Sequence, residues 1–195
     1  MNEQTKASWR RRADPDFLER FFVGRGLDLG PGKDGLVHNK VFPLIESVDE
    51  MDLEDGDAQE LTWTGGRAVA DGEYDFVHAS HALEHLRDPE ATLFRWIDAV
   101  RSGGHVIITV PDEDLYEQGH WPSKFSGEHL WSFTICKSRS EMPKSMNVLD
   151  LAKLVCRRAS LERVILLRQH WRPDIDTDQT MGPAECAIEF VLRRL

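Results

Sequence analysis

The sequence predicts an α/β fold built around a mostly parallel sheet. Two apolar stretches, 73–80 and 105–111, have the length and composition of buried strands, and the segment between them, 81–104, has the pattern of one or two helices ending at paired glycines. Strands that alternate with helices along a chain indicate a parallel sheet. Two late strands, 161–168 and 186–194, flank a polar loop and predict an antiparallel edge.

The remaining elements extend this pattern along the chain. Residues 16–24 place four apolar side chains at helical spacing and predict a short helix at the edge of the domain. A strand then enters a glycine turn within 24–35, and a second strand over 44–49 ends in an acid. A further helix is expected over 148–160.

Composition and charge exclude several classes of protein. Hydrophobic residues make up 41% and charged residues 30% of the 195 residues, as in a folded globule, and we expect one domain over 1–195 with a helical extension over 1–23. The net charge of −10 argues against a nucleic-acid or anionic-membrane surface, because phosphate binding needs clustered cations. The basic runs Arg10 to Arg12 and Arg193 to Arg194 are short and terminal, so we expect them to be solvated.

Secretion, membrane insertion and thiol chemistry are also disfavoured. The first residues lack the apolar core of a signal peptide, and no apolar run approaches the ~18 residues of a membrane span. Cys136, Cys156 and Cys186 lie far apart without a CxxC pair, which argues against a disulfide framework and against a thiolate metal site. A soluble cytoplasmic protein is the expectation.

A glycine turn provides the strongest local signal of a ligand site. The strand that ends at Asp28 and Leu29 is followed by Gly30, Gly32 and Gly35. Glycines at such a turn let the backbone approach a ligand where a side chain would clash. The spacing fits the G-x-G-x-x-G of dinucleotide sites, and a purely structural turn is the alternative. A carboxylate before the glycines suits a cationic ligand with an amino group better than a pyrophosphate.

The order of several motifs resembles the class I S-adenosylmethionine-dependent methyltransferases, in the branch that acts mostly on small molecules. After D-L-G-x-G come an acid that ends the second strand, G-D-A at 56–58, S-H-x-L-E-H-L from Ser80, and G-G-H-V-I-I-T-V-P up to Pro111. The resemblance covers roughly 24–111. It implies a Rossmann-like, doubly wound and mostly parallel sheet of six or seven strands with an antiparallel C-terminal strand.

The resemblance also implies a set of residues that bind S-adenosylmethionine. The turn would hold the amino acid portion of the cofactor, and Asp49 would bind the ribose hydroxyls through charge-assisted hydrogen bonds. Asp57 and the Ala58 backbone would contact the adenine, while Ser80 and His81 would lie beside the methionine part. The turn residues are Asp28, Leu29, Gly30, Pro31 and Gly32.

One departure from the family pattern leaves two alternatives open. Only the six residues 50–55 separate Asp49 from the G-D-A segment. A helix and a third strand need a dozen residues or more. Either the third strand is absent and the sheet has six strands, or the ribose acid is another carboxylate such as Asp52.

The stretch HALEH, residues 81–85, has the H-x-x-E-H spacing of some zinc peptidases. In those enzymes both histidines lie within one helix, whereas His81 directly follows a predicted strand. We therefore expect no metal here. His81 keeps a role at the cofactor pocket, and Glu84 and His85 are expected to be structural.

The connection over 112–145 is long and aromatic, and loops of this length are usually functional. Its aromatic rings and acids suit a pocket for a sugar or another polar ring, so we expect an insertion that covers the substrate. The alternative is a self-packed loop over the sheet edge. This connection and 176–186 also resemble a bacterial group of methyltransferases connected with surface-polysaccharide synthesis.

The resemblance implies methyl transfer to a small polar acceptor, such as a sugar or nucleotide-sugar, at oxygen or nitrogen. In-line displacement requires positioning of the acceptor, and a base must remove its proton. His129 and His81 are the candidate bases, Glu113 is next, and Tyr116 is expected to orient the acceptor. A cofactor-binding module that recognises a protein partner and a zinc hydrolase are the alternatives, and a nicotinamide oxidoreductase is disfavoured.

Overall fold

The computed structural model describes residues 3–135, 137, 140 and 142–195, without the side chains of His38 and Asn39. Cys136 lies outside these residues, whereas Cys156 is exposed and Cys186 is buried, both as free thiols. Among the described helices none is long and apolar enough to cross a bilayer.

A six-stranded sheet organises the structure. Its strands are β1 (Gly24–Leu29), β2 (Ile45–Met51), β5 (Tyr74–Ser80), β6 (Val100–Pro111), β9 (Ala159–Leu167) and β10 (Ala187–Arg194). The order across the sheet is β2-β1-β5-β6-β10-β9. The first four strands are parallel, and β10 runs antiparallel to both of its neighbours. The predicted Rossmann-like α/β fold is therefore confirmed.

Short elements complete the described chain. The helices are α1 (Glu3–Arg11), α2 (Leu36–Asn39), α3 (Pro89–Ala99) and α4 (Val148–Leu154). The minor strand pairs are β3 (Gly56–Asp57) with β4 (Thr62–Trp63), and β7 (Ser132–Thr134) with β8 (Ser145–Asn147). A π-helical turn spans Phe17–Phe21, and 3₁₀ turns span Leu83–His85 and Gln179–Met181.

The third strand of the family pattern is absent from the described sheet. Between β2 and β5 the chain forms only the two-residue strands β3 and β4, which pair with each other. The second strand is longer than predicted, because its pairing with β1 continues to Leu29 and Met51. Asp49 thus lies within β2 rather than at its end.

Both faces of the sheet are covered by apolar side chains. On one face Trp96 and Ile97 of α3 pack into the larger core. That helix begins where the Asp88 side chain accepts a hydrogen bond from the Ala91 amide, with Pro89 in the first turn. On the other face a second core contains the rings of Phe17, Phe21, Phe22, Phe42 and Phe76. The helix expected over 16–24 is thus a single π-helical turn that delivers aromatic rings to the sheet.

The expectation that Arg10 to Arg12 are solvated is wrong for Arg11, whose side chain is fully buried. Its guanidinium Nη2 lies 2.7 Å from Oε2 of Glu189, a carboxylate in the middle of β10 that is also 0% exposed. Arg10 adds two hydrogen bonds to the same carboxylate, at 3.0 and 2.9 Å. A buried carboxylate in a sheet needs a cation, and α1 supplies it by lying against β10.

Ionisation of Glu189 depends on this pair. Burial opposes the charged form, but the charges and hydrogen bonds of Arg11 and Arg10 outweigh burial and lower the pKa of Glu189 to about 2. A carboxylate with a depressed pKa stabilises the fold fully above its ordinary pKa, here 4.5. That stabilisation is lost as the pH falls from 4.5 towards 2, because the unfolded chain takes up the proton first.

We expect Glu189→Gln to lower the free energy of unfolding by about 3–5 kcal/mol near neutral pH, because the substitution leaves Arg11 buried without its counter-charge. Urea denaturation followed by circular dichroism measures this change. The same measurement between pH 4.5 and 2 should show a shallower loss of stability in the variant than in the parent protein.

Asp150→Asn is the matched control, because Asp150 forms an exposed pair with Lys153 at 2.7 Å. Its loss should leave stability unchanged within error. Equal effects of the two substitutions would contradict the structural importance of the buried pair.

Candidate functional site

A buried chain of hydrogen-bonded side chains holds the glycine turn in place. The Asp28 carboxylate, at the end of β1, is 1% exposed. Its Oδ2 accepts a hydrogen bond from the Leu36 amide at 2.8 Å, and its Oδ1 lies 2.6 Å from His78 Nδ1. Asp28 therefore joins both ends of the loop that contains Gly30, Gly32 and Gly35 to the neighbouring strand β5.

His78 continues this chain to Arg11. Arg11 Nη1 lies 3.1 Å from His78 Nε2, and since arginine can only donate, Nε2 accepts and Nδ1 donates its proton to Asp28. Burial lowers the pKa of His78, which agrees with a neutral ring. Sequence analysis missed His78, because a histidine inside an apolar strand has no distinctive spacing.

The turn itself adopts left-handed backbone angles. Gly30 has a φ of +67° and Gly32 a φ of +55°. The Gly30 amide donates to the Met51 carbonyl at 2.9 Å, and a Cβ at Gly30 would lie 3.1 Å from the Ala82 Cβ. These positions therefore require glycine and leave an open cradle above the turn.

Helix α1 lies over this cradle and encloses a small cleft. Asp34 of the turn accepts hydrogen bonds from the amide and hydroxyl of Thr5 at 2.8 and 2.6 Å, which ties α1 to the loop. The cleft has a volume of about 100 Å³. It is lined by Glu3, Gln4, Asp28, Gly30, Pro31, Asp34, His78, Ser80 and His81. Both polar atoms of the Gln4 side chain are buried without a hydrogen-bond partner among the described residues. Such atoms are suited to a polar ligand.

A second cleft adjoins the first and shares Gly30 and His81 with it. Its volume is about 690 Å³, within the roughly 300–1,000 Å³ of small-molecule sites. The remaining lining residues are Met51, Asp52, Leu53, Gly56, Asp57, Ala58, Ala82, His85, Leu86, Glu128 and Leu130. Leu53 is 94% exposed, which leaves an apolar side chain at the rim available for a ligand.

The structure separates the two acids considered for ribose binding. Asp49 lies outside the described lining of both clefts, and its carboxylate is bound by Arg25 at 2.5 Å and by the Tyr74 hydroxyl at 2.8 Å. Burial opposes its ionisation, but these two hydrogen bonds lower the pKa of Asp49. Asp52, directly after β2, lines the larger cleft and accepts a hydrogen bond from the Gly32 amide at 3.1 Å.

The other cofactor-site residues of the sequence analysis lie around these clefts. Asp57 and Ala58 line the larger cleft, and the Asp57 carboxylate closes its own turn by accepting from the Gln59 and Glu60 amides. Ser80 and His81 line the smaller cleft. Leu29 is fully buried in the core beneath the turn.

The HALEH stretch forms the junction between β5 and α3. His81 has a φ of +56°, and the 3₁₀ turn Leu83–His85 follows it, with Leu83 in the core. Glu84 is 0% exposed, and its carboxylate Oε1 lies 3.3 Å from His81 Nδ1, close enough for an ion pair but outside hydrogen-bond geometry. Burial opposes the charged forms, yet the proximity of the two side chains raises the pKa of His81 and lowers that of Glu84.

The aromatic connection packs against this junction. The Glu84 carbonyl accepts from the Leu130 and Trp131 amides at 2.8 and 3.2 Å. His129 Nδ1 lies 2.8 Å from Glu117 Oε1, and the His129 ring lies 5.3 Å from the Tyr116 ring, centre to centre. Two of the catalytic candidates, His129 and Tyr116, are thus next to each other near HALEH, although both lie outside the described lining of the two clefts.

Glu113 does not belong to this group. Its buried carboxylate lies 2.8 Å from Lys137 Nζ and accepts hydrogen bonds from the hydroxyls of Ser140 and Ser145. Burial opposes its ionisation, but these contacts lower its pKa. It is outside the described lining of both clefts, so the structure gives Glu113 the position of a residue that holds the connection together.

Comparison with known proteins identifies the family of the chain. A family model described as a methyltransferase domain matches residues 1–155. The ubiquinone biosynthesis O-methyltransferase of Aromatoleum aromaticum is 26% identical over 148 residues, which cover 76% of this chain and 58% of that protein. The chain thus spans less than two thirds of the length of this curated relative.

Two solved structures share the fold at low identity. The putative S-adenosylmethionine-dependent methyltransferase of Listeria monocytogenes has a TM-score of 0.51 and 13% identity, covering 96% of this chain and 98% of that one. An S-adenosylmethionine-dependent methyltransferase of Methanosarcina mazei has a TM-score of 0.54 and 10% identity, with 92% and 95% covered.

The residues that line the two clefts all fall inside the segment matched by the family model. The mostly parallel six-stranded sheet with its antiparallel C-terminal strand is the one that the resemblance predicts. The chain therefore belongs to the methyltransferase domain family. It has the class I fold, and its cofactor is S-adenosylmethionine.

Proposed function

We propose that the protein transfers a methyl group from S-adenosylmethionine to a small polar acceptor such as a sugar or nucleotide-sugar. The observation that supports this most is the pair of adjoining clefts that share Gly30 and His81 at the carboxyl ends of β1 and β5. Ligands of open α/β sheets bind at this edge. The cofactor, when bound, supplies an electrophilic methyl group on a sulfonium.

The smaller cleft suits the amino acid end of the cofactor. Its charged and polar groups include Asp28 and the unpartnered amide of Gln4. The positive φ of Gly30 and the lack of a Cβ let the ligand approach the backbone closely. These features fit a group that bears both an ammonium and a carboxylate.

The larger cleft suits the adenosine and the acceptor. Asp52 would bind the ribose hydroxyls, in place of Asp49, whose carboxylate is bound elsewhere. Leu53, Asp57 and Ala58 would contact the adenine at the same end.

The acceptor would lie at the end of the larger cleft lined by His81, His85 and Glu128. We propose that the connection 112–145 covers it there. The resemblance of this connection to methyltransferases of surface-polysaccharide synthesis supports a carbohydrate acceptor. The O-methyltransferase named among the relatives favours oxygen as the methylated atom.

The residues proposed to take the acceptor proton are His81, which lines both clefts, and His129, whose ring lies 5.0 Å from that of His85 in the larger cleft. Glu117 orients His129 through Nδ1, and Tyr116 packs beside the ring. A histidine fixed in one tautomer by a carboxylate is suited to positioning or deprotonating a hydroxyl.

We expect Asp52→Asn to weaken S-adenosylmethionine binding about tenfold, because a charge-assisted hydrogen bond to the ribose becomes a neutral one. Isothermal titration calorimetry gives the dissociation constant. Asp49→Asn is the matched control and should change that constant by less than about twofold. If Asp49→Asn weakened binding more than Asp52→Asn does, Asp49 and not Asp52 would be the residue that binds the ribose.

We expect His129→Ala to lower kcat about 100-fold or more without changing cofactor affinity, which is the usual scale for a residue that assists proton transfer. Release of S-adenosylhomocysteine, measured with a panel of sugars, nucleotide-sugars and small phenols, identifies an acceptor and gives the rate. His120→Ala, at an exposed position in the same connection, is the control and should keep the parent rate.

An unchanged kcat in His129→Ala would exclude that role. Cofactor binding with no transfer to any acceptor would favour the non-catalytic binding module.

A further inference from the structure

Three side chains near the larger cleft are arranged like metal ligands. Glu84, His85 and His129 each offer one ligand atom, and these atoms all lie within 4.8 Å of one another. Two imidazoles with one carboxylate form the ligand set of many catalytic zinc sites and of non-haem iron sites. The H-x-x-E-H spacing pairs His81 with His85, whereas the structure combines Glu84 and His85 with the distant His129.

Each histidine makes, through Nδ1, a hydrogen bond of the kind that metal-ligating histidines usually make. His129 Nδ1 lies 2.8 Å from the Glu117 carboxylate, and His85 Nδ1 lies 3.2 Å from the Glu128 carbonyl. Because a carboxylate and a carbonyl only accept, Nδ1 of each ring carries the proton and Nε2 carries the free lone pair. A second hydrogen bond of this kind fixes the tautomer and increases the basicity of a ligating histidine.

Glu84 provides an independent indication. Its side chain is 0% exposed, and neither carboxylate oxygen has a hydrogen-bond partner among the described residues. His81 Nδ1, at 3.3 Å, is a neighbour rather than a hydrogen-bond donor. A buried carboxylate with a single neighbouring imidazole and no hydrogen-bond donor remains costly, and a bound cation would compensate it.

We propose that Glu84, His85 and His129 bind a divalent transition-metal ion of the Zn²⁺ class. Two nitrogen ligands favour such an ion over Mg²⁺, which prefers oxygen. His85 lines the larger cleft together with Glu128 and Leu130, so the metal would adjoin the acceptor.

This site deepens the proposed function and rests on it for its chemical role. With a metal at this place the Nε2 lone pair of His129 would be a ligand, so His129 would act through the metal and not as the base itself. The metal would bind an acceptor hydroxyl and lower its pKa, so that the O–H proton passes to solvent water. The oxygen lone pair then forms the O–CH₃ bond, and the electrons of the S–CH₃ bond go to sulfur, which changes from a sulfonium to a neutral thioether. The acceptor is therefore a hydroxyl compound.

Zn²⁺ binding to the protein without a histidine tag tests the site directly. After dialysis against a chelator, calorimetric titration with Zn²⁺ should give one ion per chain, and Mg²⁺ should bind at least tenfold more weakly. Glu84→Gln, His85→Gln and His129→Ala should each weaken Zn²⁺ binding at least tenfold, and Glu117→Gln should weaken it about 10–100-fold. His120→Ala is the matched control and should bind Zn²⁺ like the parent.

The outcomes separate the metal site from the cofactor site. Circular dichroism shows which variants fold. Because His85 is only half-buried, His85→Gln still tests the site if the variants at buried positions do not fold. Absence of Zn²⁺ binding, or equal binding by the parent and the folded ligand variants, overturns the metal site. S-adenosylmethionine titrated into the same metal-free protein tests the proposed function separately, since its failure to bind overturns that function whatever Zn²⁺ does. Methyl transfer that is unaffected by the chelator overturns the role of the metal in the reaction.

Discussion

The buried guanidinium of Arg11 is the interaction on which the rest of the structure depends. It binds Glu189 of β10, donates to Thr109 of β6 at 3.1 Å and contacts His78 of β5, which in turn binds Asp28 of β1. One side chain from α1 therefore links four adjacent strands. The N–H groups of a guanidinium that is buried away from solvent need hydrogen-bond acceptors from the protein. The position of α1 over the sheet is therefore fixed by electrostatics as well as by packing.

This constraint connects the fold to the site. The same chain of contacts ends at the Asp28 carboxylate, which holds the loop from Gly30 to Leu36, while Asp34 of that loop holds α1 through Thr5. Helix α1 and the glycine turn, which lie on opposite sides of the small cleft, are thus held together by hydrogen bonds. The cleft has a defined shape before any ligand binds, which reduces the ordering that binding requires.

Local patterns allowed much of the fold to be predicted. The apolar strands β5, β6 and β10 and the glycine turn are visible because each depends on residues close together in the chain. The short gap after β2 predicted the six-stranded alternative, since chain length alone limits what can be built there. The end of β2 was misplaced by two residues, so Asp49 was expected at the end of a strand that continues to Met51.

Long-range pairs could not be predicted in this way. Arg11 resembled a solvated terminal residue because its partner Glu189 lies at the other end of the chain, although an acid within an apolar strand was a signal that a cation was needed. His129 joins Glu84 and His85 only after the connection folds back over the sheet edge. The spacing within HALEH resembles that of a zinc peptidase. Its position at the end of β5 instead places it along one side of the proposed cofactor and acceptor site.

A crystal structure of the protein with S-adenosylhomocysteine is the most direct test of the central claim, that the two adjoining clefts are one cofactor site. The account predicts the amino acid end under α1 beside Gly30 and Gln4, the ribose hydroxyls on Asp52, and the adenine between Leu53 and Ala58. A ligand bound on another face of the sheet, or a ribose held by Asp49, would contradict it.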